Sequence, residues 1–275
     1  MNETPAGGGV NRVRVRRRRL RDLLRIDSHA DFHDYLFRHA LERYHASLPQ
    51  ADPGLGEILA IGANHREARA LAKLPFARIL LTGITDPDDA IRDVARSDPR
   101  VSYRIENSES LSLDSRSFDL VLCKESLHHL ARPALGLYEM LRVCRRAALW
   151  IEPYDTLAGR LFEAIGLATV YETQQAGNLG GRDNFVHRFA RRPLELLLNS
   201  YYLESDYALE IHLGWMSSRF NAHPAKPVRR AAALAGWALG FVPGSRGNYM
   251  TALIVPGRDL PPDPIVAEAK PGDEP

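Results

Sequence analysis

The chain has 275 residues, of which 45% are hydrophobic and 25% charged, and its formal net charge is +2. This length and composition are typical of a globular domain with a substantial core, and the near-neutral charge gives no support for a nucleic-acid partner. There is no apolar run of roughly 18 residues and no apolar signal segment, so we expect a cytoplasmic protein without a membrane span.

The chain begins with a basic segment that includes RVRVRRRR, Arg12 to Arg19. One interpretation is an arm that binds nucleic acid or anionic lipid, and the other is a solvated, frayed start. No aromatic residues are interleaved with the arginines, and the rest of the chain is near neutral, which favours the second interpretation. We therefore predict a disordered basic arm over residues 1–19.

A helical pattern follows, with apolar residues on one broad stripe between Phe32 and Tyr44, and it predicts an N-terminal helical segment over residues 20–50. Three of its histidines, His33, His39 and His45, are spaced six residues apart. That spacing does not place them on one helical face, so we expect no metal site there.

The two cysteines, Cys123 and Cys144, lie in apolar runs and are expected to be buried thiols.

Residues 51–257 alternate between strand and helix patterns. Seven segments read as strands: GEILAIG, ARILLTGI, RVSYRIE, FDLVLCKE, RAALWIEP, DYALEIHLG and NYMTALIVPG. The alternation predicts a Rossmann-like, doubly wound, mostly parallel seven-stranded sheet in an α/β fold. The rhythm breaks at about 154–190, which we expect to be a lid insertion. A helix is predicted at about 226–242, and the Pro-rich tail 258–275 is expected to be disordered.

The order of motifs between Ser115 and Pro153 resembles the middle of class I S-adenosylmethionine-dependent methyltransferases. Phe118-Asp119 opens the fourth strand, Leu127-His128-His129 follows it, Arg142-Val143 ends the next helix, and Glu152-Pro153 closes the fifth strand. The likeness covers roughly Leu55 to Pro153. It implies S-adenosylmethionine as cofactor, bound at the C-terminal edge of the strands, with no metal.

The resemblance also implies which residues meet the cofactor: Ala60, Gly62, Ala63, Asn64, Thr85, Asp86, Asn107, Ser108, Lys124 and Glu125. Two acids of the family pattern are replaced here, one by Ala60 and the ribose-binding one by Thr85. Each lost charged hydrogen bond would weaken binding by about 1.5–3 kcal/mol. Asn64 holds the place of a glycine, and asparagine tolerates left-handed backbone geometry.

Two hypotheses follow. The first is a working methyltransferase with a divergent cofactor pocket, and the second is a methyltransferase-like protein without methyl transfer that acts as a binding or scaffold subunit. The first hypothesis is favoured by the presence of Glu125, His128 and His129 together beside the predicted site. The altered glycine turn favours the second.

For a working enzyme, a histidine suits the role of general base toward a hydroxyl or phenol. His129 is the preferred base and His128 the other candidate, and the alternative for both is a structural role in the loop. Glu152, Tyr154, Asn184 and His187 are predicted to line the acceptor side. A nucleic-acid acceptor is not expected, because no basic stripe joins the arm to the site. The resemblance implies a small-molecule acceptor, such as a bacterial secondary metabolite or a sugar-like compound. The sequence does not decide the methylated atom or the oligomeric state, and a homodimer stays open.

Overall fold

The computed structural model describes residues 12–18, 20, 24, 29–47, 55–166, 171–172, 184–202, 207–215 and 223–257. The strands are β1 (Arg12–Arg17), β2 (Glu57–Ile61), β3 (Arg78–Gly83), β4 (Val101–Ile105), β5 (Phe118–Lys124), β6 (Cys144–Pro153), β7 (Tyr171–Glu172), β8 (Asn184–Phe185), β9 (Tyr207–Gly214) and β10 (Tyr249–Pro256). The helices are α1 (His29–Ser47), α2 (His65–Ala72), α3 (Asp89–Ser97), α4 (Pro133–Val143), α5 (Leu157–Ala164), α6 (Arg191–Tyr202) and α7 (Lys226–Leu239), with a 3₁₀ helix at Leu127–His129.

Eight of these strands form one sheet in the order β1-β9-β10-β6-β5-β2-β3-β4. Within it, β10 is antiparallel to both of its neighbours, β6 and β9, and the other pairings are parallel. The chain order reverses between β2 and β5, which is the topological switch point of a doubly wound sheet. The predicted α/β fold class is confirmed.

The sheet has eight strands rather than the seven predicted, because the basic segment forms the edge strand β1 alongside β9. The prediction of a disordered arm is therefore wrong for Arg12–Arg17. The alternation of arginine and valine explains the strand. Val13 and Val15 pack against the apolar core, whereas Arg14 and Arg16 are exposed, which is the period-two pattern of a half-buried strand.

The central strands are apolar on both faces, as parallel strands covered by helices should be. In β2, Ile58 packs into the core beneath α1 and α2, while Leu59 packs into the core on the opposite face. In β5, Leu122 and Cys123 divide between the two faces in the same way. Cys123 and Cys144 are both buried free thiols, as expected, and burial raises the pKa of each.

This topology brings three chain segments together at the carboxyl ends of the parallel strands. They are the turn after β2, the 3₁₀ helix after β5 and the end of β6. Part of the expected lid, residues 167–170 and 173–183, lies outside the described residues, as does the tail 258–275. In the part of the chain that the structure describes, none of the helices has the length and apolar content that a membrane span needs.

Candidate functional site

The turn that leaves β2 depends on Gly62. Its φ is +62°, in the left-handed region that favours glycine. A Cβ at this position would lie 2.3 Å from Oγ of Ser126. That hydroxyl donates to the carbonyl of Gly62 at 3.2 Å. The turn therefore packs directly against the loop that follows β5.

Asn64 caps helix α2 instead of taking the left-handed geometry expected at the place of a glycine. Its φ is −95°, and its Oδ1 accepts from the amides of Arg66 at 2.8 Å and Glu67 at 3.4 Å. Glu67 completes a capping box, since its Oε2 accepts from the Asn64 amide at 2.8 Å. Amide groups that a glycine-rich turn leaves for a ligand are thus bound by the protein's own side chains.

A cleft of about 320 Å³ opens beside this turn, between α1, α2 and the end of β5. Its volume lies within the range of about 300–1,000 Å³ that is typical of small-molecule sites. Its walls are both charged and apolar, and they comprise Asp34, Phe37, Asn64, His65, Arg66, Glu67, Ala70, Lys124 and Glu125. Three of the predicted cofactor residues, Asn64, Lys124 and Glu125, line it.

Lys124 lies on the floor of the cleft between two carboxylates. Its Nζ donates to Oε1 of Glu67 at 3.0 Å and to Oε2 of Glu125 at 2.8 Å, and its side chain is 8% exposed. Burial disfavours the charged form of Lys124, but Glu125 and Glu67 outweigh that effect and raise its pKa. Tyr249 of β10 donates its hydroxyl to Oε1 of Glu125. Glu125 itself has a φ of +50°, which is rare outside glycine.

The other predicted cofactor residues do not line the cleft. Ala60 is buried in the apolar core, and Ala63 packs against the same core. Thr85, Asp86 and Asn107 are exposed at the carboxyl ends of β3 and β4, whereas Ser108 is buried. The Thr85 carbonyl accepts from the Tyr103 hydroxyl at 2.8 Å, and Asn107 Oδ1 accepts from the Glu109 amide at 3.0 Å. The structure thus divides the predicted set into a cleft group and a group at the β3–β4 edge.

Glu152 is fully buried and does not face an acceptor as the sequence predicted. Its Oε1 accepts from the amides of Ser126 at 3.0 Å and Leu127 at 2.8 Å, at the start of the 3₁₀ helix. Its Oε2 lies 2.5 Å from Nδ1 of His128. The reason for the difference is that the end of β6 is covered by the loop after β5, whose buried amides need an acceptor. Glu152 therefore positions the loop and His128.

The imidazoles predicted to be catalytic lie directly above Glu152. His128 is buried, and its ring centroid is 4.3 Å from that of the partly exposed His129. Burial lowers the pKa of His187. The charge of Glu152 raises this pKa and that of His128 lowers it, so both groups are electrostatic neighbours of His187. Tyr154, two residues after Glu152 in the chain, is partly buried, and its amide donates to the Asn248 carbonyl at 2.7 Å. Of Asn184, the structure gives only its place in the short strand β8.

Two residues of the site were not singled out from the sequence. Glu67 stands three residues after Asn64, which is the spacing of a capping box, so a sequence signal for it existed. Tyr249 carries no such signal, because only the antiparallel pairing of β10 with β6 brings it to Glu125. Among the described residues, no group of three His, Cys, Asp or Glu side chains could hold a metal ion.

Comparison with known proteins agrees with this architecture. Residues 59–151 match the family model of the methyltransferase domain. No curated protein matches the chain. Among solved structures, a SAM-dependent methyltransferase of Methanosarcina mazei is 16% identical with a TM-score of 0.50, covering 78% of this chain and 96% of its own. The YcgJ protein of Bacillus subtilis is 13% identical with a TM-score of 0.50, covering 81% and 99%.

A third structure, the small RNA methyltransferase HEN1, is 10% identical with a TM-score of 0.53 and covers 83% of this chain but 26% of its own. At these identities the structural likenesses establish the fold. The family-model match over residues 59–151 agrees with the resemblance to class I S-adenosylmethionine-dependent methyltransferases. A domain of this family implies S-adenosylmethionine as its cofactor.

The residues around the turn fit the amino-acid half of that cofactor. Gly62 keeps the left-handed conformation that lets a backbone turn pass close to its neighbours, and the adjacent cleft offers both cationic and anionic side chains. The β3–β4 edge offers the nucleoside half a hydroxyl at Thr85 and an exposed carboxylate at Asp86, in the absence of the usual ribose acid. The donor set is therefore suited to a zwitterionic ligand with a nucleoside extension.

Proposed function

We propose that this protein transfers a methyl group from S-adenosylmethionine to a small-molecule acceptor. The observation that carries the proposal is the arrangement around Ser126. Its hydroxyl binds the Gly62 turn, its amide binds Glu152, and the histidine pair begins two residues later. One short loop thus joins the cofactor turn to His128 and His129.

In this reaction the cofactor supplies an activated methyl group on a cationic sulfur, and the protein supplies alignment and a base. The buried Glu152 fixes His128 by accepting at its Nδ1, and His128 in turn supports the ring of His129. His129 is the partly exposed member of the pair, so it is the one that an acceptor entering from solvent can reach. We assign it the role of accepting the acceptor's proton.

His187 and Tyr154 are assigned to the wall that faces the acceptor. The lowered pKa of His187 keeps its ring neutral at pH 7, so it does not add a positive charge beside a base that must gain one. The exposed Phe185 next to it in the chain provides apolar surface for a small organic molecule. Asn184, on the same short strand, stays a predicted member of this wall.

The second candidate is a methyltransferase-like protein that binds partners without transferring a methyl group. The capping box favours it, because Asn64 and Glu67 bind amides that a ligand would otherwise meet. Both candidates predict the same fold, so only ligand binding and turnover separate them.

Isothermal titration of the full chain with S-adenosylmethionine and S-adenosylhomocysteine distinguishes the two. A working enzyme binds both, and it then releases S-adenosylhomocysteine when supplied with a suitable member of a panel of phenols, hydroxylated metabolites and sugars. His129→Asn should leave the affinity for S-adenosylhomocysteine unchanged while abolishing that release. Absence of heat with both nucleotides would contradict methyl transfer and favour the second candidate.

A further inference from the structure

We propose that Lys124, Glu125 and Glu67 form the binding site for the amino-acid end of the cofactor and replace the acid that is missing at Ala60. We call these three residues the acid–lysine cluster. The inference rests on the proposed function, since it assigns a part of the same site. It differs from the family pattern in placing the anchoring charges on the β5 loop and on α2 instead of on β2.

The cluster is in the right place because it forms the floor of the cleft beside the Gly62 turn. Ala60 lies in the apolar core together with Phe37, which is itself a wall of the cleft. A carboxylate at Ala60 would therefore have to be buried among apolar side chains. The neighbouring strand end supplies the charge instead, since β5 pairs with β2 and continues into Lys124 and Glu125.

The charges of the cluster match those of an amino acid. Two carboxylates and one ammonium give the cluster a net charge of −1, and all three line the same cleft. An ammonium group has three N–H donors, and the two carboxylates account for two of those of Lys124. The third can reach the ligand's carboxylate, while Glu125 and Glu67 attract the ligand's ammonium.

The backbone of Glu125 supports a binding role over a purely structural one. Its φ of +50° is a strained conformation for a residue with a Cβ, and such strain persists mainly at functional sites. Glu125 is held there by Tyr249 from β10 and by Lys124, so its carboxylate is fixed before a ligand arrives.

The test uses two ligands that differ in the part the cluster is proposed to bind. S-adenosylhomocysteine carries the amino-acid end, whereas 5′-methylthioadenosine has the same nucleoside and thioether without it. Affinities for both are measured by titration calorimetry on the full chain and on Glu125→Gln, Glu67→Gln and Lys124→Met. Asp93→Asn, which breaks an exposed ion pair of α3 with Arg96, is the matched control.

We expect Glu125→Gln and Lys124→Met to weaken S-adenosylhomocysteine about 10- to 100-fold, as the loss of a charged hydrogen bond does. Glu67→Gln should weaken it less, because glutamine retains the cap on Asn64. Methylthioadenosine should bind all variants within about threefold of wild type, which also shows that they are folded. Equal losses for the two ligands, or no loss for either, overturn the inference. Wild-type protein that binds neither ligand overturns the proposed function itself.

Discussion

The carboxylate of Glu152 lies 2.5 Å from Nδ1 of His128, and both side chains are almost completely buried. The same carboxylate accepts from two amides of the loop that carries the histidine. A carboxylate that accepts at Nδ1 favours the tautomer with the proton on that nitrogen. The end of β6 thereby fixes both the loop and the tautomer of His128.

Glu152→Gln is expected to separate binding from turnover. Glutamine can accept from the loop amides with its oxygen, but its NH₂ group then faces Nδ1 of His128 and favours the other tautomer. We expect the methyl-transfer rate to fall about 10- to 100-fold while the affinity for S-adenosylhomocysteine changes less than about threefold. Single-turnover assays and calorimetry measure the two effects. A variant with wild-type turnover would show that His128 has no part in the reaction.

Gly62→Ala is expected to destabilise the fold by about 1–3 kcal/mol. The added methyl group would be placed in a left-handed backbone and 2.3 Å from Oγ of Ser126. Removing that hydroxymethyl group in the double variant with Ser126→Gly should recover the part of the loss that comes from the clash. Urea denaturation of the two single variants and the double variant gives the coupling. Additive losses would mean that the two residues do not meet.

The sequence is sufficient to predict the central sheet, but it is insufficient to predict where the charged residues around the sheet lie. Apolar runs such as FDLVLCKE specify a strand buried on both faces, and β5 is that strand. The segment RVRVRR is predicted to be a disordered arm because its arginines have no interleaved aromatic residues and the rest of the chain is near neutral, but its alternation is that of an edge strand. The partners of β1 lie some 200 residues away in the chain, in β9, and no local signal shows that an edge is available there.

The site shows the same limit. The proximity of the Gly62 turn to the loop after β5 follows from the parallel topology, and it was predicted. The direction of the Glu152 side chain is not predicted by the sequence, because it depends on which face of β6 the loop amides approach. Likewise, Lys124 was assigned to the cofactor without its two carboxylates, since the pairing with Glu67 spans 57 residues.

Arg116→Gly is expected to stabilise the protein. Arg116 is exposed, and its φ of +56° is costly for any residue with a Cβ but not for glycine. Its amide donates to the Arg142 carbonyl at 2.8 Å, and that bond survives the substitution. Relief of about 1–2 kcal/mol of strain is partly offset by the greater freedom of glycine in the unfolded chain, so a net gain of up to about 1 kcal/mol is expected. Thermal unfolding measures this gain in stability. A Tm below that of wild type would show that the conformation of Arg116 is not strained.

A final prediction concerns His212 of β9, which contacts His39 of α1. Burial lowers its pKa to about 4 in spite of the hydrogen bond to Glu210. Its Nε2 lies 2.8 Å from Glu210 and its Nδ1 lies 3.5 Å from Nε2 of His39. Glu210 is also paired with Arg43 and Arg16, so His212 faces one carboxylate, two guanidinium groups and the imidazole of His39.

An unfolded histidine titrates near pH 6.5. Because the folded pKa of His212 is lower, its contribution to stability is complete above about pH 6.5 and is lost as the pH falls toward about 4. We expect the free energy of unfolding to drop by roughly 1–2 kcal/mol more in wild type than in His212→Gln between pH 7 and pH 5. The pKa of Glu210 is also lowered, but its contribution is lost only below about pH 4.3, where an unfolded glutamate titrates. The interval from pH 5 to 6.5 therefore isolates the histidine, and parallel curves for the two proteins over that interval would show that His212 is not held neutral in the fold.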